Sequence, residues 1–204
     1  MMDVVEVGAE HLIAEVIGLM DDLLTLQVYE ETAGLKPGAP VFGTGHPLTV
    51  ELGPGLLRSI FDGIQRPLPV LELRSGAFIG RGIKTTPLYR KQPWAFTPTA
   101  TVGLQLSGGA ILGTVPETEL IEHRVLLPPT VSGELFWLAP PGEYTLTEPV
   151  ARVRTSAGRE VPITMLQFWP VRRPRPVQRR ISPAELLTTG LRVLDTFFPL
   201  ARGG

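Results

Sequence analysis

The sequence contains no cysteine and only three histidines among its 204 residues. Disulfide bonds, thiolate nucleophiles and cysteine-ligated zinc sites are therefore excluded. No apolar run approaches the roughly 20 residues that a membrane-spanning helix needs, and the acidic start at Met1, Met2 and Asp3 lacks the cationic and apolar segments of a signal peptide. The sequence predicts a cytoplasmic protein without direct membrane insertion.

Strong charge of either sign is also lacking. Nineteen lysines and arginines nearly balance 20 aspartates and glutamates, so the net charge is −1. This balance offers no positive footprint for nucleic acid. One arginine cluster is interrupted by prolines, which favours an extended linker over RNA binding; it consists of Arg172, Arg173, Arg175, Arg179 and Arg180. We therefore expect no nucleic-acid partner.

Glycine and proline are abundant, with 22 and 21 copies. Long helices do not tolerate this density, because proline removes a backbone donor and glycine costs conformational entropy. Short strands joined by turns do tolerate it. With 43% hydrophobic residues available for a core, the composition predicts a globular, mainly β protein.

The first 52 residues predict a small β-barrel. Apolar runs at residues 12–19 and 23–29 are separated by Met20, Asp21 and Asp22, a pattern typical of a hairpin. Further strands are predicted at residues 39–42 and 48–52. Gly53, Pro54 and Gly55 then break the strands, and helical spacing of apolar residues predicts a short helix over residues 54–62.

The middle and the end of the chain differ in composition and in predicted structure. Residues 76–165 contain short β-like runs between prolines and glycines, with no helix, which predicts a compact, barrel-sandwich-like unit of hairpins. An extended linker is predicted from Trp169 onward. Ser182, Pro183 and Glu185 form a capping box, and a second helix is predicted from Thr189 until Pro199.

Three segments in a fixed order carry a resemblance to a known family. They are VYEETAGL at residues 28–35, PLTVELGPGL continuing through IFDGIQRPL at residues 47–68, and WPVR through RPV, TGLRVLD and FP at residues 169–199. This order resembles the head subunits of rotary ATPases. The block of about 100 residues between Pro69 and Trp169 further resembles the bulge domain, which is typical of the catalytic A subunit of V-type and archaeal-type enzymes.

The resemblance implies a domain organisation. A β-barrel occupies residues 1–52, with the family's first barrel strand missing. The bulge domain, or non-homologous region, occupies residues 76–165. Residues 53–75 and 166–204 form a linker and the start of an α/β nucleotide-binding domain, reached through short helices. The family continues into a strand and a P-loop beyond the last residues of this chain, Gly203 and Gly204.

The residues that would bind ATP are absent from these 204 positions. A P-loop requires a Gly-Lys pair, since the lysine reaches the β- and γ-phosphates. The three lysines, Lys36, Lys84 and Lys91, follow leucine, isoleucine and arginine. We therefore expect no catalytic, cofactor-binding or metal-binding residue in this chain, no cofactor in it, and Mg-ATP in the full-length subunit that the resemblance implies.

Other residues that could carry chemistry have simpler interpretations. The histidines, His11, His46 and His123, are scattered without metal-ligand spacing and are expected in turns or at the surface. The sequence also contains two groups of nearby carboxylates, Glu30 with Glu31, and Glu117 with Glu119 and Glu122. We expect these in solvated turns rather than as acid–base pairs. The glycines between residues 103 and 113 precede a strand-like run and so do not predict a phosphate loop.

Two functions of different class follow. The first, implied by the resemblance, is part of a catalytic A subunit that couples ATP to proton or sodium transport. Its partners would be the B subunits of an A3B3 head and the peripheral stalk, so that the protein is peripheral to a membrane. The second is a freestanding β-rich interaction module. A biotinyl- or lipoyl-carrier version is excluded by the lack of lysine in residues 116–122.

The missing strand implies an unprotected sheet edge. An edge strand presents unpaired N–H and C=O groups that invite another strand to add. Residues 12–19 are the predicted edge, because they lie nearest to the deletion. We expect the chain to self-associate unless residues 1–8 fold back to cover that edge.

Overall fold

The computed structural model describes residues 2–176 and 185–202, without the side chain of Arg58. The protein is mainly β, as predicted, and divides into two compact units, Met1–Arg173 and Pro174–Gly204. Among the described residues, no helix has the length and apolar character needed to cross a membrane. The predicted capping box at Ser182 and Pro183 falls outside the described residues.

The first unit begins with a four-stranded antiparallel sheet in the order β3-β2-β1-β4. Its strands are β1 (Asp3–Val7), β2 (Leu12–Met20), β3 (Leu23–Val28) and β4 (Val41–Pro47). Alternation of side chains along β1 and β2 buries Val5, Val7, Ala14 and Val16 in one core. The predicted hairpin is confirmed, since β2 and β3 pair from Ala14 with Val28 to Met20 with Leu23.

The prediction that residues 12–19 form the open edge is wrong. Strand β1 pairs antiparallel with β2 on one side, while β3 occupies the other. The alternative expectation, that residues 1–8 fold back over this edge, is confirmed, because Asp3–Val7 form β1 and pair with β2. Val5 and Val7 of β1 also lie in the core of this sheet. The outer strands of the sheet are β3 and β4.

Strands β4 and β5 both differ from the strands predicted in this part of the chain. Strand β5 (Thr49–Leu52) lies where a strand was predicted, but it pairs with β14 (Gln167–Pro170), 115 or more residues away, and not with the first sheet. β14 occupies the beginning of the predicted linker. The strand predicted at residues 39–42 is in fact β4, which begins at Val41 and runs to Pro47.

The helix predicted over residues 54–62 is reduced to one 3₁₀ turn, Leu56–Arg58. Ser59 is extended, and Phe61 forms a β-bridge with Pro67, so the chain leaves the helical conformation before a second turn. A helix that the sequence did not predict, α1 (Leu68–Ser75), follows this bridge and has a proline in its first turn. Leu71 is its buried residue.

Residues 94–164 form two further four-stranded antiparallel sheets. One has the order β11-β6-β8-β9 and the other β13-β12-β10-β7. The strands in chain order are β6 (Trp94–Pro98), β7 (Gln105–Leu106), β8 (Ile111–Pro116), β9 (Glu122–Leu126), β10 (Gly133–Leu138), β11 (Gly142–Tyr144), β12 (Pro149–Arg154) and β13 (Glu160–Thr164). The predicted helix-free arrangement of short hairpins is confirmed for this stretch.

Two adjoining cores hold these sheets. Phe96, Val115 and Leu146 lie in the first, against which Leu56 and Phe61 also pack. Leu112, Leu127 and Leu135 lie in the second. Gly113 allows β8 to approach β6 closely, because a Cβ at this position would lie 2.4 Å from the Phe96 ring.

The second unit is small. It contains a two-stranded ladder of β15 (Leu186–Leu187) with β16 (Leu200–Ala201) and the short helix α2 (Arg192–Phe197). The predicted second helix is therefore confirmed, although it begins three residues later than Thr189. The Asp195 carboxylate accepts hydrogen bonds from the Thr189 hydroxyl and backbone N–H, which fixes the turn before the helix.

Candidate assembly surface and buried carboxylates

A carboxylate in β2 fixes the point at which the chain leaves the first unit. Glu15 is 1% exposed. Arg172 donates to it through Nε at 2.7 Å and Nη2 at 2.6 Å, and the Tyr29 hydroxyl donates at 2.6 Å. Arg172 holds the pKa of the Glu15 carboxyl below its usual range, against the effect of burial, while Glu15 raises the pKa of Tyr29. One member of the predicted arginine linker is therefore a fixed structural partner.

A second buried carboxylate joins three parts of the unit. Glu30 Oε2 accepts hydrogen bonds from Arg66 Nη1 and from the Gly82 N–H, both at 2.8 Å. Arg66 Nε also donates to Asp62 Oδ2 at 2.7 Å. Burial lowers the pKa of the Arg66 guanidinium, but the two carboxylates raise it above its ordinary value. This cluster lines an open cleft of about 540 Å³ together with Tyr29 and Arg81.

A third carboxylate holds the segment that leads into β6. Glu51, in β5, pairs with Arg90 Nη2 and accepts a hydrogen bond from the Leu88 N–H at 3.3 Å. Its own backbone exchanges two hydrogen bonds with the Gln65 side-chain amide, at 2.6 and 2.7 Å. Gln65 has positive φ, so these two bonds stabilise a backbone conformation that non-glycine residues adopt infrequently.

A fourth carboxylate, Glu117, is 2% exposed and accepts hydrogen bonds from the N–H groups of Gly55 at 2.8 Å and Leu57 at 3.0 Å. His123 Nδ1 lies 3.5 Å from the same carboxylate. Burial lowers the pKa of His123, and the charge of Glu117 only partly offsets this. Glu117 therefore ties the turn after β8 to the 3₁₀ turn.

The prediction of solvated turns is wrong for Glu30 and Glu117. Both side chains are buried because backbone N–H groups and a cation or imidazole surround them, and their oxygens are occupied by these structural hydrogen bonds. The prediction is confirmed for Glu31 and Glu119, which are exposed and lie outside strands, whereas Glu122 is exposed but begins strand β9. The missed signal lies in the distant partners, which are 36 residues from Glu30 and up to 62 from Glu117.

The remaining candidates lie apart. His11 bonds Glu6 at 2.7 Å and stacks on Phe42, and His46 is exposed. Lys84 pairs with Glu6 at 2.6 Å, while Lys36 and Lys91 are exposed. Within the described part of the chain, no group of three or more histidine and carboxylate side chains is arranged to hold a metal.

The most apolar exposed element of the first sheet is the β2–β3 hairpin. Its tip presents five large side chains that are between 43% and 70% exposed, namely Ile17, Leu19, Met20, Leu23 and Leu24. Leu19 faces Leu24 and Met20 faces Leu23 across the ladder. Because successive residues point to opposite faces of a strand, the tip is uncovered on both faces. The outer strand β3 also has no further strand beside it among the described residues.

Two sequence families match the chain. The family described as "ATP synthase alpha/beta family, beta-barrel domain" matches residues 1–45, and the "ATPsynthase alpha/beta subunit barrel-sandwich domain" matches residues 85–172. The second match contains all the strands from β6 to β14. Together the two matches account for most of the chain.

Similar full-length proteins point to one branch of that family. The A subunit of the A-type ATP synthase of Methanopyrus kandleri is 54% identical over all 204 residues of this chain, which are 34% of its own length. The V-type ATP synthase alpha chain of Thermoanaerobacter sp. is 52% identical over 34% of its length, and the A-type counterpart from Thermococcus sibiricus is 51% identical over 35%. The chain spans about a third of these relatives, and it belongs to the ATP synthase α/β family, in the branch of the A-type and V-type A subunits.

Proposed function

We propose that the chain is part of the catalytic A subunit of a V/A-type rotary ATPase, in which ATP hydrolysis or synthesis is coupled to proton or sodium transport. In this proposal the described residues supply assembly surfaces, and Mg-ATP binds elsewhere in the full-length subunit. The protein would be cytoplasmic and peripheral to the membrane. The β2–β3 hairpin is the observation that carries the assembly role.

The hairpin suits contact with a neighbouring head subunit for two reasons. Its five exposed apolar side chains would leave water on association, which is favourable in proportion to the area covered. Its outer strand β3 can also extend a sheet across the boundary by backbone hydrogen bonds. The neighbours would be B subunits in an A3B3 ring.

The domain boundaries are part of the proposal. A barrel over residues 1–52 would carry the ring contact, and a bulge over residues 76–165 would face the peripheral stalk. Residues 53–75 and 166–204 would lead to the nucleotide-binding domain. In support, β5, which precedes this stretch, pairs with β14, which follows it, so that the chain enters and leaves the stretch at one place.

The test uses a full-length catalytic subunit carrying this sequence, expressed together with B subunits. Leu24→Asp places a charge on the outer strand of the hairpin, where it would be buried by a neighbour. We expect at least a tenfold loss of A3B3 ring relative to free subunits in native mass spectrometry. Leu104→Asp is the matched control, because Leu104 is 50% exposed, similar to Leu24 at 56%, but precedes β7.

The ring contact is refuted if Leu24→Asp assembles as well as the control while both variants melt within 2–3 °C of the parent subunit. The broader proposal is refuted if the parent subunit itself forms no complex with B subunits. The two failures can be told apart, because complex formation by the parent subunit is measured before any variant is made.

A further inference from the structure

The turn between β8 and β9, residues 117–121, is held by several hydrogen bonds. The N–H groups of Glu117 and Thr118 both donate to the Ile121 carbonyl at 3.1 Å. The Thr118 hydroxyl accepts from the N–H groups of Leu120 at 3.3 Å and Ile121 at 3.0 Å. Each of these polar backbone groups near the tip therefore has a local partner, and the conformation of the turn is fixed.

The same turn is anchored to a distant part of the chain. The buried Glu117 carboxylate accepts from the N–H groups of Gly55 and Leu57, at the start of the 3₁₀ turn. A carboxylate that accepts two backbone N–H groups at such a terminus is a strong, charge-assisted contact. Two turns separated by about 60 residues in sequence thus form one surface.

The exposed surface of these two turns carries large apolar side chains. Leu120 is 95% exposed, which is the highest value among the exposed large hydrophobic residues of the described chain. Ile121 beside it, and Leu57 and Ile60 in the tied turn, are each about half exposed or more. The turn hydrogen bonds, one of them from the Leu120 N–H itself, hold its backbone in this exposed position.

The charged side chains that flank Leu120 within its own turn are negative. Glu119 and Glu122 flank Leu120 and Ile121, and both are exposed. Neither carboxylate forms an ion pair with any residue that the structure describes. The nearest cation along β9 is Arg124, two residues beyond Glu122 and paired in the ladder with Thr114. A partner surface would therefore gain by placing lysine or arginine beside its apolar contact.

We propose that the two turns, residues 55–60 and 117–122, form a docking knob for another protein chain of the assembly. The partner surface has an apolar socket that receives Leu120, bordered by lysine or arginine side chains that face Glu119 and Glu122. A rigid apolar anchor with a charged rim is the arrangement that concentrates binding energy at protein interfaces. This inference rests on the proposed function, because it requires the chain to work within a larger complex.

The test is site-specific photo-crosslinking in the purified, assembled enzyme, with a full-length catalytic subunit that carries this sequence. p-Benzoylphenylalanine replaces Leu120, and in a matched control it replaces Leu73, which is 88% exposed on α1. We expect position 120 to crosslink to a different chain, at a segment that contains apolar residues and lysine or arginine. Peptide mass spectrometry identifies that segment.

The charge rim is tested in the same experiment. Glu119→Gln with Glu122→Gln should lower the crosslink yield at position 120 at least threefold at low salt. The yield should also lose most of its dependence on ionic strength, since exposed charges are screened within about 10 Å at 0.1 M salt. Arg124→Gln is the control, and it should leave the yield unchanged.

Three results would overturn the docking knob. They are crosslinks from position 120 that remain within the same polypeptide, no crosslink above the level at position 73, and a yield that ignores the two glutamates. If the parent subunit does not enter the A3B3 head, the proposed function fails and this inference fails with it. A head that assembles normally without an intersubunit crosslink at position 120 overturns this inference alone.

Discussion

Removal of the Arg66 guanidinium is the perturbation whose cost the structure predicts most directly. The Arg66 side chain is 9% exposed and pairs with Glu30, at 3%, and Asp62, at 14%. Arg66→Met keeps most of the apolar stem but leaves two carboxylates buried without a counter-charge. Breaking a buried ion pair from one side typically costs about 3–5 kcal/mol.

The expected cost lies near the lower end of that range. The N–H groups of Gly82 and Ile64 still donate to Glu30 and Asp62 at 2.8 and 3.1 Å, so both carboxylates keep part of their solvation. We expect a loss of about 3 kcal/mol, which is a factor of over 100 in the folding equilibrium. Adding Glu30→Gln to Arg66→Met should restore part of the loss, because one unpaired charge is removed.

Urea unfolding measures this cost. All three tryptophans lie in the first unit, so their fluorescence reports its unfolding. The midpoint should fall while the slope with urea stays constant. Lys84→Met is the control, because Lys84 is 58% exposed in its pair with Glu6 and exposed pairs contribute at most about 1 kcal/mol. A structural role for the buried Arg66 charge is refuted if Arg66→Met costs no more than Lys84→Met, or if the double variant loses the sum of the single losses.

Four further outcomes are expected. Calorimetry of this chain with Mg-ATP should show no saturable heat, and a dissociation constant at or below about 10 μM, worth about −7 kcal/mol, would contradict this. Gly113→Ala should lower stability by about 1–3 kcal/mol through overpacking, whereas Gly43→Ala, with no atom within 4 Å, should stay within about 0.5 kcal/mol in the same urea assay. Because the pKa of His123 is lowered in the folded protein, the unfolded chain binds a proton at this residue at a higher pH than the folded chain does. The contribution of His123 to stability should therefore be complete above about pH 6.5 and fall as the pH drops toward the pKa of the folded state. A His123→Gln variant whose stability changes equally with pH in that window would show that other groups cause the change. Because β1 covers residues 12–19, the chain should self-associate through the outer strand β3 instead. Light scattering across a concentration series should show that Leu23→Lys reduces this, while a parent chain that stays monomeric at all concentrations would contradict it.

The sequence predicted those elements that are formed and stabilised by residues close together in the chain. The alternation of residues 12–19 and 23–29 around Asp21 and Asp22 predicts the β2–β3 hairpin, because strand pairing there needs only a tight turn and a period of two. The glycine and proline content predicts the helix-free hairpins of residues 94–164. The order of three motifs and the insertion between them were sufficient to indicate the family.

Several features depended on the tertiary structure, because their partners are remote. The apolar spacing at residues 54–62 is helical, yet the Phe61–Pro67 bridge and the core that receives Leu56 and Phe61 limit it to one turn. Strand β5 has the pattern of a barrel strand, and its actual partner, β14, is 115 or more residues away.

The buried charges show the same division most clearly. A glutamate side chain is normally solvated, and the sequence neighbours of the buried glutamates give no other indication. Glu15, Glu30 and Glu117 are buried because Arg172, Arg66 and the Gly55 N–H reach them from 157, 36 and 62 residues away. The sequence by itself determined the hairpins, the β-rich composition and the family, since these rest on local pattern. The tertiary structure alone decided which carboxylates leave water and which apolar side chains remain in it, because burial depends on distant segments of the chain.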